Sequence, residues 1–155
     1  VEIVPLDANN ISYAVGLAEE MHKLSTFADS GPAFNWGHCK ATMLYAMNHP
    51  DYYFTLAMDD GVYVGAVCGH VTPFYFSPDM LGVEEAWYVR DGTRYRASIG
   101  MRLMYGFVEW CLVTKRAVMV QSGDVAGIRT IGVDALYRRM GFTRYGAIYR
   151  YMREA

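Results

Sequence analysis

The chain has 155 residues, 53% of them hydrophobic, and a formal net charge of −2. That length and apolar content predict a single domain, residues 1–155, with a full core. The charge argues against a nucleic-acid binder of the basic-patch kind, and no run of eighteen apolar residues exists to suggest a membrane span. Cys39, Cys68 and Cys111 are odd in number and lack metal-ligand spacing, so no metal is expected and the setting reads as reducing and cytoplasmic. Cys68 and Cys111 fall in a strand and a helix pattern and read as small core residues.

Val1-Glu2-Ile3-Val4-Pro5-Leu6 opens with an acidic residue and reads as a strand over 3–6, not as a signal peptide. Asp7 to Asn10 can cap a helix over 11–24, with Ile11, Val15, Ala18 and Met21 inward. A loop over 25–35 and a helix over 36–47 follow. Strands over 52–58 and 62–71 flank the turn Asp59-Asp60-Gly61, which makes them a hairpin. A loop over 73–82, a strand over 83–89, a helix over 97–113 and a strand over 117–121 come next. The last two strands are parallel because a helix joins them. A helix over 128–140 and one or two strands within 143–152 complete a β-α-α-β-β-β-α-β-α-β order.

The densest chemical signal lies between residues 83 and 104. The strand Val83-Glu84-Glu85-Ala86-Trp87-Tyr88-Val89 leads through a turn with small residues at Ala97, Ser98 and Gly100 into a helix. Ile99, Leu103, Phe107 and Trp110 share one helical face. The first N–H groups of a helix have no partner within it, and its dipole favours negative charge there. Arg90, Arg94, Arg96 and Arg102 crowd this turn, offset by Asp91. Together these features suggest a site for a phosphorylated cofactor. There is no GxxxxGK[ST] and no GxGxxG in the chain.

A second motif, Leu136-Tyr137-Arg138-Arg139-Met140-Gly141-Phe142, ends a helical run. With it the chain resembles the GCN5-related N-acetyltransferase (GNAT) family, and its Tyr-Arg-x-Ser turn is similar to that of small phage and bacterial members. The resemblance implies a GNAT fold of α/β (α+β) class. It would hold a mixed central sheet of about six to seven strands, flanked by about four helices. It implies acetyl-CoA as cofactor, held by Tyr88, Val89, Arg94, Tyr95, Arg96, Ala97, Ser98, Ile99, Gly100, Met101, Arg102 and Thr130. The family's [Q/R]xxGx[G/A] turn is altered here, with Tyr95 in the first position and Ser98 in that of the inner glycine. Thr130 stands where the family often has asparagine.

In this family the fourth strand splays from the fifth and the cofactor enters between them. The resemblance places a bulge near the end of that strand, and an N–H donor for the thioester oxygen at Val89 or Tyr88. Tyr137 falls on the tyrosine that commonly protonates the departing thiolate. A phenol is protonated at neutral pH and suits that task. Glu84 and Glu85 are the candidates for accepting the amine's proton. Strand alternation puts them on opposite faces, Glu84 with Ala86 and Tyr88, and Glu85 with Trp87 and Val89. Phe27, Phe34, Trp36 and Tyr75 are the candidate walls for the acceptor.

The expected activity is transfer of an acetyl group to a primary amine of a small molecule or a protein. The alternative is a non-catalytic acyl-CoA-binding or protein-interaction module. The apolar content and Tyr145, Tyr149 and Tyr151 leave a homodimer open.

Overall fold

A computed structural model describes residues 1–123, 132–147 and 149–153. Its elements are β1 (Glu2–Pro5), α1 (Ile11–Leu24), α2 (Phe27–Ser30), α3 (Trp36–Met47), β2 (Tyr52–Asp59), β3 (Val62–Phe74), β4 (Ser77–Val89), α4 (Arg96–Glu109), β5 (Met119–Gln121) and α5 (Val133–Arg139). A π-helical turn, Trp110–Thr114, extends α4. The strands form one sheet in the order β1-β2-β3-β4-β5. The first four are antiparallel to their neighbours, and β5 runs parallel to β4.

The sheet is covered on both faces because its strands alternate apolar side chains to both sides. Val67, Val71 and Val89 pack with Ile99, Leu103, Met104 and Phe107 of α4. Leu56 and Tyr88 pack on the other face with Ile11, Ala14, Val15 and Leu17 of α1 and Met43 of α3. Phe107 is wholly buried, and burial of one such side chain contributes roughly 1.5–3 kcal/mol. The entry to α1 is tied locally. Asp7 Oδ1 accepts the Asn9 and Asn10 N–H groups, and Asn10 Oδ1 accepts the Asp7 N–H at 2.8 Å. The Asn10 amide then donates to the Pro5 carbonyl at 2.9 Å, which fixes β1 to the helix. At α3 the Asn35 side chain accepts the His38 N–H at 2.8 Å, an ordinary N-cap.

Three expectations are corrected. The region 73–82 is not a loop: β3 and β4 form one long hairpin, paired from Gly65↔Val89 to Phe74↔Ser77. Pro73 and Pro78 both lie where the hairpin outruns its neighbours. β2 begins its pairing with β3 at Tyr52↔His70, and β5 reaches only Leu81 of β4. A proline is tolerated there because no ladder needs its N–H. Second, among the described residues the sheet has five strands, not six to seven. Residues 143–147 and 149–153 form no strand. Tyr145, Tyr149 and Tyr151 are exposed, so their alternating aromatic pattern finds no face to bury. Third, the helix expected over 97–113 is α-helical only to Glu109. It then widens, with the Lys115 N–H reaching back to the Trp110 carbonyl. Among the described residues there is one helix beyond the expected four, α2, a single turn inside the loop 25–35.

Candidate active site

β4 and β5 pair only at Leu81↔Met119, Gly82↔Val120 and Val83↔Gln121. β4 then runs on to Val89, while β5 stops at Gln121. The edge of β4 beyond Val83 is therefore left uncovered by β5. Its polar groups can be assigned from the ladder on the other side. The Arg90 N–H donates to the Val64 carbonyl of β3 at 2.7 Å. Antiparallel strands alternate the direction of their backbone groups, so the Tyr88 N–H also faces β3. The N–H groups of Trp87 and Val89 face the side that β5 leaves uncovered among the described residues. The Val89 carbonyl does too, since Arg96 Nε donates to it at 2.9 Å.

A bulge lies in β4, but at Glu85 and not near Tyr88 or Val89. Cys68 pairs with Ala86 and Gly69 pairs with Glu84, which skips Glu85. One extra residue reverses the alternation upstream of it. Glu84 consequently shares a face with Trp87 and Val89, and Glu85 with Ala86 and Tyr88, the reverse of the sequence expectation. On the α4 side, the Ser122 hydroxyl donates to Glu84 Oε2 at 2.7 Å and lies 2.7 Å from the Tyr137 hydroxyl. On the other side, Glu85 Oε1 approaches His70 Nδ1 at 3.1 Å, and the His70 ring stacks on Tyr52. The two adjacent carboxylates thus serve two separate environments. Both also push up the nearby Cys68 thiol, after burial as the larger cause, to about 12. Burial alone raises Cys111 to about 12. Neither thiol is a nucleophile at neutral pH.

Tyr137 is held by the end of α5. Gly141 has φ +89°, the left-handed region that favours glycine. The Phe142 N–H reaches the Tyr137 carbonyl at 3.0 Å, and the Gly141 N–H reaches the Arg138 carbonyl at 3.0 Å. This is a Schellman cap, and its usual apolar contact is made by Phe142 against Tyr137, ring centroids 5.3 Å apart. The Trp87 ring meets Tyr137 edge-on at 5.3 Å from the sheet side. The Tyr-x-x-x-Gly-Phe pattern is thus a device for stopping the helix and clamping the phenol. Gly141→Ala forces an L side chain into that region and is expected to cost about 1–2 kcal/mol, read as a lower urea midpoint at unchanged slope.

The turn into α4 starts at Tyr95, whose backbone is left-handed (φ 57°, ψ 30°). The first bond in the helix runs from the Ile99 N–H to the Tyr95 carbonyl at 3.0 Å, so the N–H groups of Arg96, Ala97 and Ser98 precede the ladder. Gly100 is small because of the sheet: a Cβ there would lie 3.2 Å from Trp87 Cζ2. Trp87 Nε1 donates to the Gly100 carbonyl at 3.0 Å. Ile99 is buried in the core, and Met101 follows at half burial.

The four arginines do not act as one cluster. Arg90 makes two bonds, 2.8 and 2.9 Å, to the Glu20 carboxylate of α1, which holds its guanidinium more firmly charged. Arg96 bonds Asp91 at 2.9 Å as well as the Val89 carbonyl. Arg102 reaches the Val1 carbonyl, at the β1 side of the sheet. Arg94 stays at the turn, its guanidinium 4.7 Å above the Tyr95 ring.

Of the four expected acceptor walls, Tyr75 stands apart from the carboxylates along β4. Tyr75 is fully exposed at the tip of the β3–β4 hairpin. Ser77 and Glu84 lie seven residue steps apart along β4, about 23 Å at strand rise. Phe34 plugs the α1 face beside His22, and Phe27 lies under the Arg150 guanidinium. Trp36 is exposed at the start of α3. Thr130 lies outside the described residues.

No family model matches the chain, and no curated protein is significantly similar to it in sequence. Solved structures do match it along its whole length. An aminoglycoside acetyltransferase, AAC(6')-Iy, in complex with the bisubstrate analogue CoA-S-monomethyl-acetylneamine, superposes with a TM-score of 0.77 at 16% identity, covering 99% of this chain and 98% of that one. The aminoglycoside 6'-N-acetyltransferase AAC(6')-IG of Acinetobacter haemolyticus gives 0.76 at 13% identity, covering 100% and 99%. An aminoglycoside acetyltransferase from an uncultured soil metagenomic sample gives 0.72 at 13% identity, covering 99% and 98%. The fold is that of the GNAT acetyltransferases.

Within this GNAT fold, one neighbour of the carboxylates, Ser122, went unnoticed in the sequence. Ser122 follows β5 directly and joins Glu84 to Tyr137, residues 38 and 15 positions away along the chain. Its only sequence signal is a Ser-Gly pair at a strand end. The other neighbour, His70, lies within β3 and meets Glu85 because the bulge turns Glu85 to its face.

Proposed function

We propose that the chain is an acetyl-CoA-dependent N-acetyltransferase whose acceptor is a primary amine of a small molecule. The observation that carries this reading is the hydroxyl chain Glu84–Ser122–Tyr137 beside the edge of β4 that β5 leaves uncovered among the described residues. The residues at this edge fit the acyl donor. The N–H groups of Trp87 and Val89 suit the amide-bearing arm, as an added strand would. Those of Arg96, Ala97 and Ser98, with Arg94, suit the pyrophosphate. When bound, acetyl-CoA supplies an activated thioester and a sulfur leaving group. Val89 is preferred to Tyr88 as the donor to the thioester oxygen, because the Tyr88 N–H is directed at β3. Glu84 accepts the amine's proton and Tyr137 supplies one to sulfur. Glu84 is preferred to Glu85 for the base because it shares the face of Tyr137. The aminoglycoside substrates named for the similar structures support a small amine over a protein.

A second reading, acyl-CoA binding without transfer, is favoured by the turn itself. Tyr95 replaces the usual Arg or Gln, and Glu20 and Asp91 engage Arg90 and Arg96. Calorimetric titration with acetyl-CoA and with CoA, followed by thiol release against aminoglycosides, polyamines and an N-terminal peptide amine, separates the two. Micromolar binding with release on a small amine is the expected result. Binding without release selects the second reading, and no binding at millimolar concentration overturns both.

A further inference from the structure

Ser122 has one proton and two oxygen neighbours at 2.7 Å, the Glu84 carboxylate and the Tyr137 hydroxyl. An ionised carboxylate only accepts, so the Ser122 hydroxyl is committed to Glu84. The contact between Ser122 and Tyr137 must then use the phenolic proton. In this state Tyr137 donates towards Ser122, and that proton is turned away from any other acceptor. Protonating Glu84 reverses the chain. The carboxylic acid now donates to Ser122, Ser122 donates to Tyr137, and the phenolic proton is released to point elsewhere.

We infer that Ser122 is a positioning residue that arms Tyr137 as a proton donor only after Glu84 has taken a proton. The inference rests on the acetyl-transfer reading above and deepens it. Acetyl transfer forms one C–N bond and breaks one C–S bond, whose electron pair leaves on sulfur. The nitrogen loses one proton and the sulfur gains one. The chain closes that balance without bulk water. The nitrogen's proton goes to Glu84, the Glu84 proton to Ser122, the Ser122 proton to Tyr137 and the Tyr137 proton to sulfur. All three side chains end as they began, with Glu84 ionised. Removal of a proton at one end is thereby coupled to its delivery at the other. The Trp87 and Phe142 rings, packed on Tyr137 from two sides, hold the phenol within reach of Ser122.

The test uses the full chain with tyrosine labelled with carbon-13 at Cζ. The Tyr137 signal is assigned by its loss in Tyr137→Phe. In the wild type this signal should shift as Glu84 titrates. The shift should vanish in Glu84→Gln and in Ser122→Ala, and persist in Ser122→Thr, which restores a hydroxyl. A wild-type signal that is blind to Glu84, or one that still follows it in Ser122→Ala, overturns the coupling. In turnover, Ser122→Ala should lower kcat on the order of 10²-fold with acetyl-CoA affinity unchanged, and Ser122→Thr should recover most of it. Wild-type turnover in Ser122→Ala overturns the relay. A wild type that shows the coupled titration yet acetylates no amine leaves the hydroxyl chain standing and overturns the acetyl-transfer reading instead.

Discussion

Tyr137→Phe is expected to lower kcat for acetyl transfer by about 10²–10⁴ while leaving acetyl-CoA affinity nearly intact. The substitution removes a single oxygen. The ring keeps its edge-on contact with Trp87 and its packing against Phe142, so the clamp at the end of α5 is preserved. Ser122 loses one neighbour but keeps its bond to Glu84, a change worth on the order of 1 kcal/mol of stability. The groups assigned to the acyl donor, on the β4 edge and the α4 turn, are untouched. A proton donor used only as the sulfur departs affects the rate and not ground-state binding. Thiol-release kinetics together with a calorimetric Kd separate the two quantities. Equal turnover in the two proteins would remove Tyr137 from the chemistry.

Gly69→Ala is expected to destabilise the fold by about 2–3 kcal/mol through overpacking, lowering Tm by roughly 4–10 °C for a chain of this size. Gly69 faces the ring of Phe107, which is wholly buried. A Cβ at this position would stand 2.6 Å from Phe107 Cζ and would collide with the Val83 carbonyl oxygen. The ring is enclosed by Tyr53 and Trp110, and the oxygen belongs to the strand, so neither can retreat cheaply. The site should suffer as well, since Gly69 sits opposite Glu84 beside the bulge that aims the two carboxylates. Adding Phe107→Leu should recover part of the loss, because the shorter side chain vacates the space the methyl needs. Thermal unfolding of the single and double variants measures this coupling. A Gly69→Ala protein of wild-type Tm would show that the hairpin can shift there at no cost.

Local signals were read directly. The helices expected over 11–24 and 36–47 lie at those positions, because helix signals act within one or two turns. The hairpin at Asp59-Asp60-Gly61 is formed as its turn residues require. The Leu-Tyr-x-x-x-Gly-Phe pattern is equally local. Gly141 alone accepts the left-handed backbone of the cap without strain, and Phe142 then falls back on Tyr137.

What the sequence by itself determined is therefore the order of elements from β1 to α5, apart from the single turn α2, together with the GNAT fold and Tyr137 with its clamp. Each is encoded over a few residues, or in a pattern repeated along one element. Tertiary structure alone decided which way the two carboxylates face. The bulge at Glu85 depends on the register between β3 and β4, and a one-residue difference in register exchanges the faces of Glu84 and its neighbours. It also decided which arginines remain at the turn, since Glu20, which engages Arg90, lies 70 residues away in α1. The meeting of Glu84, Ser122 and Tyr137 joins the bulged strand, the end of β5 and the end of α5. No periodicity within one element can record a contact that arises only when separate elements pack.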